Sequence, residues 1–410
     1  MNVYTPPETT NPRLDDDQRG GLAPWTYFNA ELFEIEKDQL FRRHWQLACH
    51  VSDVPAPGDW CAFDVSGERA LIVRGRDDLV RAFHNVCRHR GSRVVAGERG
   101  RCKTAMVCPF HGWSYNLDGT LRAVPQARTF PKLDPVEHGL LPLEHEVWNG
   151  FVFVRFKPGP QPSVASLLAA HAEEIRSYEL DKLRPYGIPT RELIEVNWKA
   201  VRDVDNEGYH VPIAHPALHD LYGLDYRDQR PVNGVSRSEG RISGSLHRIW
   251  SVRNYVKLRP QPIHLAEQSR DRWVYLGIFP NVVIMLYPEI VGFYQEIPIG
   301  VGKTVQRVAY YARPDESREA RVARYLAHRI DKITGAEDVQ LITWSWEAML
   351  SSGFSGMILS DLEAGVRAYH DMLRRVIPVM ALAKEPTAGQ IAAVNASLLA
   401  ARTDYTASAA

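Results

Sequence analysis

Cys87-Arg88-His89-Arg90-Gly91 and, with eighteen residues between His89 and Cys108, Cys108-Pro109-Phe110-His111-Gly112-Trp113 decide the fold of this 410-residue chain. Each pair sets a thiol and an imidazole close together beside glycine or proline, so the backbone can turn there and two sulfurs and two ring nitrogens can converge. Such a set suits tetrahedral zinc. It equally suits a [2Fe–2S] cluster with the cysteines on one iron and the histidines on the other, an arrangement that raises the potential above that of an all-cysteine cluster. Zinc fingers rarely place Cys beside His in both of two hairpin loops, which favours the cluster. Cys49, Cys61 and Cys102 match no ligand position and read as small packing residues.

Outward from these pairs the texture is that of short strands. Residues 60–65, 70–74 and 79–87 are rich in β-branched and aromatic side chains and are separated by Ser66-Gly67 and Asp77-Asp78. Asp118-Gly119 is expected to join 113–117 to 120–124, and Asn149-Gly150 to join 143–148 to 151–156, because both dipeptides favour two-residue hairpins. Residues 45–157 therefore form one expected all-β domain. Ahead of it, residues 1–44 comprise a polar lead-in and a helix over 30–45 capped by Asn29, expected to pack on the second domain. The proline- and glycine-rich stretch 157–163 marks a boundary, followed by a helix over 164–178.

Residues 158–410 form the expected second domain. Strands at 193–199, 245–255, 273–279, 282–287, 292–297 and 304–311 suggest an antiparallel sheet, and helices are expected at 316–333, 337–350, 360–377 and 388–401, with a fraying tail. The fold class is thus α+β. Lys and Arg total 49 and Asp and Glu total 49, so no net field draws the chain to nucleic acid. No apolar run is long enough for a membrane span and the N-terminus has no signal-peptide pattern, so a cytoplasmic location is expected. Gly302-Lys303-Thr304 imitates the end of a P-loop, but Ile297 stands where the motif needs glycine, and ATP binding is rejected.

A second constellation lies at Asn206-Glu207-Gly208-Tyr209-His210-Val211-Pro212-Ile213-Ala214-His215. Two histidines five apart, joined by one carboxylate, would make the facial triad that holds Fe(II) and leaves positions open. Taken with the first constellation, the pattern resembles a known family. CRHRG at Cys87 and CPFHGWSYNLDG at Cys108 are similar to the Rieske domain of the Rieske non-haem iron oxygenases. Asn197-Trp198-Lys199 followed by Glu207, Tyr209, His210 and His215 is similar to the iron motif of the same family, in the same order.

The resemblance implies an N-terminal all-β Rieske domain and a C-terminal helix-grip domain with a curved antiparallel sheet. It implies a [2Fe–2S] cluster on Cys87, His89, Cys108 and His111, and mononuclear Fe(II) on His210, His215 and an aspartate far downstream. Asp361 is the candidate for that aspartate, with Glu363 and Asp371 as rivals. Trp113 and Tyr115 are expected to shield and hydrogen-bond the cluster. A flavin-containing reductase or a ferredoxin, drawing on NAD(P)H, would supply electrons to a homotrimer in which Glu207 links the two metal sites across a subunit boundary.

The family usually has aspartate where this chain has Glu207, and glutamate there resembles the branch acting on quaternary-ammonium and N-methyl compounds. Trp250, Tyr255, Trp273, Tyr275, Tyr287, Phe293 and Tyr294 are either a cage for such a cation or ordinary sheet core. The expected reaction is therefore oxidative N-demethylation or C–H hydroxylation of an N-methyl compound. The alternatives are ring dihydroxylation or O-demethylation of an aromatic one.

Overall fold

The computed structural model describes residues 19–408. The polar lead-in before Arg19 lies outside them, and the tail expected to fray is helical as far as Ser408. The described residues fall into two compact units, one comprising Phe41–Ser166 and Glu179–Pro185, the other the described residues up to Leu40, Leu167–Tyr178 and those from Tyr186 onward.

The first unit holds ten short strands: β1 (Gln46–His50), β2 (Asp59–Val65), β3 (Glu68–Arg74), β4 (Val80–His84), β5 (Arg99–Arg101), β6 (Met106–Val107), β7 (Ser114–Tyr115), β8 (Leu121–Ala123), β9 (Glu144–Trp148) and β10 (Phe151–Arg155). They make three sheets, in the orders β4-β3-β2-β5, β6-β7-β8 and β1-β10-β9. Asn149 (φ 45°) and Gly150 (φ 86°) are both left-handed, which turns β9 back onto β10 in register Trp148 opposite Phe151. Trp60, Leu71, Val73, Phe83, Met106 and Trp113 form the core that Cys87 and Cys108 join. Strand β4 stops short of Cys87 for a local reason. The Asn85 side chain accepts the amides of Val94 and Val95 at 3.0 and 3.1 Å and donates to the Val95 carbonyl at 3.1 Å, clasping the loop on which Cys87 and His89 sit.

The second unit is built on seven strands, β11 (Arg184–Ile194), β12 (Tyr226–Val232), β13 (Val235–Arg241), β14 (Arg272–Ile278), β15 (Val282–Leu286), β16 (Val291–Gly300) and β17 (Lys303–Ala312), in the order β11-β17-β16-β15-β14-β13-β12. The pairings from β12 to β17 are all antiparallel. Strands β11 and β12 escape a sequence reading because they are edge strands with mostly unburied side chains and no apolar alternation.

The helices that matter to the site are α1 (Ala30–Glu36), α2 (Trp198–Val204), α3 (Val211–Ala214), α4 (Pro216–Tyr222), α5 (Trp250–Leu258), α6 (Arg318–Met349) and α7 (Ala364–Val376). Residues 245–255, expected as a strand, contribute to α5 instead, where Ser251, Val252 and Tyr255 share a buried face at helical spacing. The two helices expected at 316–333 and 337–350 are one continuous 32-residue helix, α6. Its Ala323, Leu326, Ala327 and Ile330 recur at intervals of three and four and pack with Val252, Tyr255, Trp273, Met285 and Tyr287. The expected helix 30–45 ends earlier: α1 passes into a wider turn over Lys37–Phe41 and the chain is extended from Gln46.

Candidate metal centres and their cavity

In the first unit the loops after β4 and between β6 and β7 bring the two Cys–His pairs together. The imidazole Nδ1 atoms of His89 and His111 face one another at 3.2 Å. Cys87 and Cys108 are buried, and Cys87 Sγ lies 3.3 Å from the Tyr115 hydroxyl, which also accepts the Arg88 amide at 3.0 Å. Burial pushes the Cys87 thiol up. Trp113 stacks on the His89 ring with centroids 5.0 Å apart, and Phe130 meets that ring edge-on. Two sulfurs inside, two nitrogen atoms at the rim separated as two donors on one ion would be, and a tyrosine on the sulfur fit a mixed-ligand cluster.

The second site starts from α2. Its N-cap is Asn197, whose side chain accepts the Lys199 amide and donates to the carbonyls of Tyr27 and Val301. Trp198 and Lys199 both reach the Glu36 carboxylate, at 2.8 and 2.5 Å, in a fully buried ion pair. These anchors fix the direction in which α2 delivers Asp205, Asn206 and Glu207. The next residue is glycine for a steric reason: a Cβ at Gly208 would fall 2.0 Å from the Tyr226 ring. Asp228 accepts the Gly208 amide at 2.9 Å and the Ser238 hydroxyl at 2.7 Å, and burial pushes its carboxyl up to about 6.

Pro212 sits in the first turn of α3, where its missing N–H costs nothing, so it opens a helix. That single turn brings the Nε2 atoms of His210 and His215 to 3.1 Å. The third group at this point is Asp338, from α6. Its Oδ1 is 2.9 Å from His215 Nε2 and 3.6 Å from His210 Nε2, and it is buried without a hydrogen-bond donor. The outer ring nitrogens are held by carboxylates: His210 Nδ1 donates to Glu207 Oε1 at 2.5 Å and His215 Nδ1 to Glu337 Oε2 at 2.9 Å. Three lone-pair donors therefore face one another with no proton between them, an arrangement that a divalent cation relieves. Burial opposes a charged His210, but the bond to Glu207 and the charges of Glu207, Asp338 and Asp205 outweigh it and raise its pKa, so this spot favours positive charge.

Asp338 corrects the expectation of Asp361. Asp361 opens a one-turn helix before α7 and pairs with Arg19 at 3.2 Å. Its rivals are also engaged elsewhere. Glu363 closes a capping box with Ser360, and Asp371 bonds Arg367 and Arg374. Asp338 gave no local signal, since one aspartate on a helix resembles any other.

A cavity of 910 Å³ opens beside these three groups. Its walls include Tyr186, Tyr226, Tyr275, Tyr294 and Tyr310, together with the carboxylates Asp205, Glu207, Asp331 and Asp338. Of the aromatics singled out in the sequence, only Tyr275 and Tyr294 line it. Tyr255, on α5, and Trp273, Tyr287 and Phe293 are buried core, and Trp250 is 58% exposed. Among the described residues, no helix is long and apolar enough to cross a membrane.

Comparison with known proteins now decides the family. Residues 168–378, more than half the chain, match the ring hydroxylating alpha subunit (catalytic domain), and residues 44–136 match the Rieske [2Fe-2S] domain. The chain belongs to the ring-hydroxylating alpha subunits. It is the oxygenase component of a Rieske non-haem iron oxygenase, carrying a [2Fe–2S] cluster and a mononuclear iron. This oxygenase is 25% identical over 367 residues to the carnitine monooxygenase oxygenase subunit of Escherichia coli (strain K12), covering 85% of the chain and 92% of that relative. It is 32% identical over 192 residues to the glycine betaine monooxygenase oxygenase subunit of Pseudomonas aeruginosa (strain UCBPP-PA14), covering 47% of the chain and 44% of the relative.

Its fold is shared with the structure of a quaternary ammonium Rieske monooxygenase (TM-score 0.73, 22% identity, 90% of this chain and 100% of that one). It is also shared with naphthalene 1,2-dioxygenase from Rhodococcus sp. (TM-score 0.69, 20% identity, 89% and 95%). When bound, the iron supplies dioxygen activation and the cluster the electrons for it. The residues around the oxygenase's iron site orient both imidazoles, and the cavity walls present five tyrosine rings among aliphatic and charged side chains.

Proposed function

We propose that this oxygenase hydroxylates an N-methyl carbon of a small quaternary-ammonium or N-methylated compound. The observation that carries the reading is the cavity itself: five tyrosines and five carboxylates, against the two cations Arg191 and Lys332, line 910 Å³ beside the His210, His215 and Asp338 cluster. Aromatic faces and fixed negative charge together attract a methylated cation, each desolvated cation–π contact contributing about 2 kcal/mol. The names of its relatives, monooxygenases of carnitine, glycine betaine and choline, agree with that chemistry. The substrate, dioxygen, two electrons and two protons would give the N-hydroxymethyl compound and water. The N-hydroxymethyl compound then splits into the amine, formaldehyde and a proton.

In the same reading Cys87, His89, Cys108 and His111 hold the cluster, and His210, His215 and Asp338 hold the iron. Glu207 links the two across neighbouring chains of a homotrimer. The electron donor is a flavin-containing reductase or a ferredoxin drawing on NAD(P)H. The sparse cysteines, five in 410 residues, suit a reducing, cytoplasmic compartment. The same tyrosines would also stack an arene, which keeps ring hydroxylation or O-demethylation of an aromatic compound as the second reading.

Equilibrium binding of a trimethylammonium compound and of its neutral tert-butyl isostere separates the two readings. The cation is expected to bind the tighter and to release formaldehyde when turned over with a surrogate reductase. Equal affinity, or turnover of aromatic compounds alone, overturns the proposal in favour of the second reading.

A further inference from the structure

The centre of the cavity-facing surface of α6 is a stripe of His328, Asp331, Gly335, Asp338 and Ile342, spaced by three and four, with Lys332, Thr334, Ala336 and Val339 beside it. Asp338 belongs to the metal cluster; Asp331 lies two turns before it on the same face and has no part in holding the metal. The carboxylate of Asp331 is held by two tyrosine hydroxyls, Tyr287 on Oδ1 at 2.6 Å and Tyr310 on Oδ2 at 2.5 Å. Both are neutral donors. Among the described residues it forms no ion pair; Lys332, the next along, also borders the cavity but is exposed and does not pair with it. His328, one turn earlier, sits against the edges of Tyr186 and Tyr310 with ring centroids at 5.7 and 4.6 Å. Burial lowers the His328 pKa, so its imidazole is neutral and does not balance the charge of Asp331. Its Nδ1 is buried without a partner. The wall thus carries a positioned carboxylate with no cation of its own, flanked by tyrosine rings.

We propose that Asp331 is the specificity-determining anchor for the cationic nitrogen of the substrate, with Tyr310 holding its carboxylate in place. This rests on the quaternary-ammonium reading and adds to it where the charge sits. Seven residues of helix separate the Cα atoms of Asp331 and Asp338 by about 10 Å. An ammonium held at Asp331 is therefore kept within about two helical turns of the metal cluster, which brings the carbons attached to the nitrogen toward it.

The test is equilibrium binding under anaerobic conditions of a trimethylammonium compound and its tert-butyl isostere to the wild type, Asp331→Asn and Tyr310→Phe. Asn keeps the shape and the polar contacts to the tyrosines but not the charge. Affinity of Asp331→Asn for the cation should fall roughly thirtyfold while that for the isostere holds. Tyr310→Phe, which keeps the ring, should weaken the cation's binding by less. Retained isostere binding reports that each variant is folded. If the wild type prefers the cation and Asp331→Asn preserves that preference, the anchor is refuted and the ammonium reading stands. If the wild type shows no preference, the ammonium reading fails and the anchor falls with it. Should Asp331→Asn lose both ligands together, the residue is structural and the anchor is likewise refuted.

Discussion

Asp338 and Asp361 are both aspartates on C-terminal helical segments, and what separates them is what each oxygen faces. Asp338 Oδ1 faces two imidazole Nε2 atoms and no donor, while Asp361 faces the guanidinium of Arg19. Asp338→Ala should therefore lose the mononuclear iron and all product formation while the red-brown colour of the cluster remains. Asp361→Asn should keep both metals and cost at most about 1 kcal/mol of stability, the value of a partly exposed ion pair. Metal analysis of the two variants decides it, and iron loss from Asp361→Asn would reinstate the sequence assignment. Glu207→Gln keeps the size and one acceptor for the His210 Nδ1 proton but loses the charge. It should retain both metals and slow single-turnover product formation by orders of magnitude, and an unchanged rate would remove Glu207 from the electron path. The candidate ligands legible in the sequence were those set by local spacing: two Cys–His pairs in loops and two histidines five apart. Asp338 lies 123 residues beyond His215, and no local pattern records which carboxylate a long helix presents to a distant pair of rings.

Among the elements, the expected helices 316–333 and 337–350 divide α6 at residues 334–336, where Gly335 lies, and so conceal the stripe His328, Asp331, Gly335, Asp338 and Ile342 that faces the cavity. The helix runs through because tertiary packing outweighs the roughly 1 kcal/mol by which glycine is a poorer helix residue than alanine. A Cβ at position 335 would meet nothing within 4 Å. Gly335→Ala should accordingly raise stability by up to about 1 kcal/mol, or about 2–4 °C in Tm, without displacing any neighbour. A lower melting temperature in thermal unfolding would mean that α6 needs the freedom of glycine at that point. Strands β14 to β17 were legible because their apolar runs are sheet core. Strand β13 was hidden by glycine and by charges paired inside the unit: Arg237 bridges Glu174 and Glu239, and Glu239 also meets Arg272. Buried ion pairs make a strand look like a loop to any hydropathy pattern.

For the whole molecule, the consequence to test is that the two metal centres act between chains. The Rieske loops and the iron site lie in different compact units. Each presents apolar surface beside its histidines: Phe110, 55% exposed, stacks against His111, and Tyr209 and Ile213, 55% and 89% exposed, flank His210. Such rims are suited to cover one another when a head-to-tail ring closes, and a heterologous contact of that kind gives a trimer when the rotation per subunit allows it. Light scattering should then find a trimer, and a fully active monomer would refute the arrangement. A sharper test uses two inactive variants. Cys108→Ser removes the cluster and keeps the iron site; Asp338→Ala does the reverse. Each alone should form no product. Co-expressed, they should assemble mixed rings in which an intact iron site sits next to an intact cluster at about one position in four, the product of two even chances. Product formation should thus recover to about a quarter of the wild-type rate per chain, and Glu207→Gln placed in the Cys108→Ser chain should abolish the recovery while the same change in the Asp338→Ala chain should not. Recovery that ignores which chain carries the glutamine would rule out Glu207 as the link. No recovery from rings confirmed to be mixed would place the transfer within a single chain.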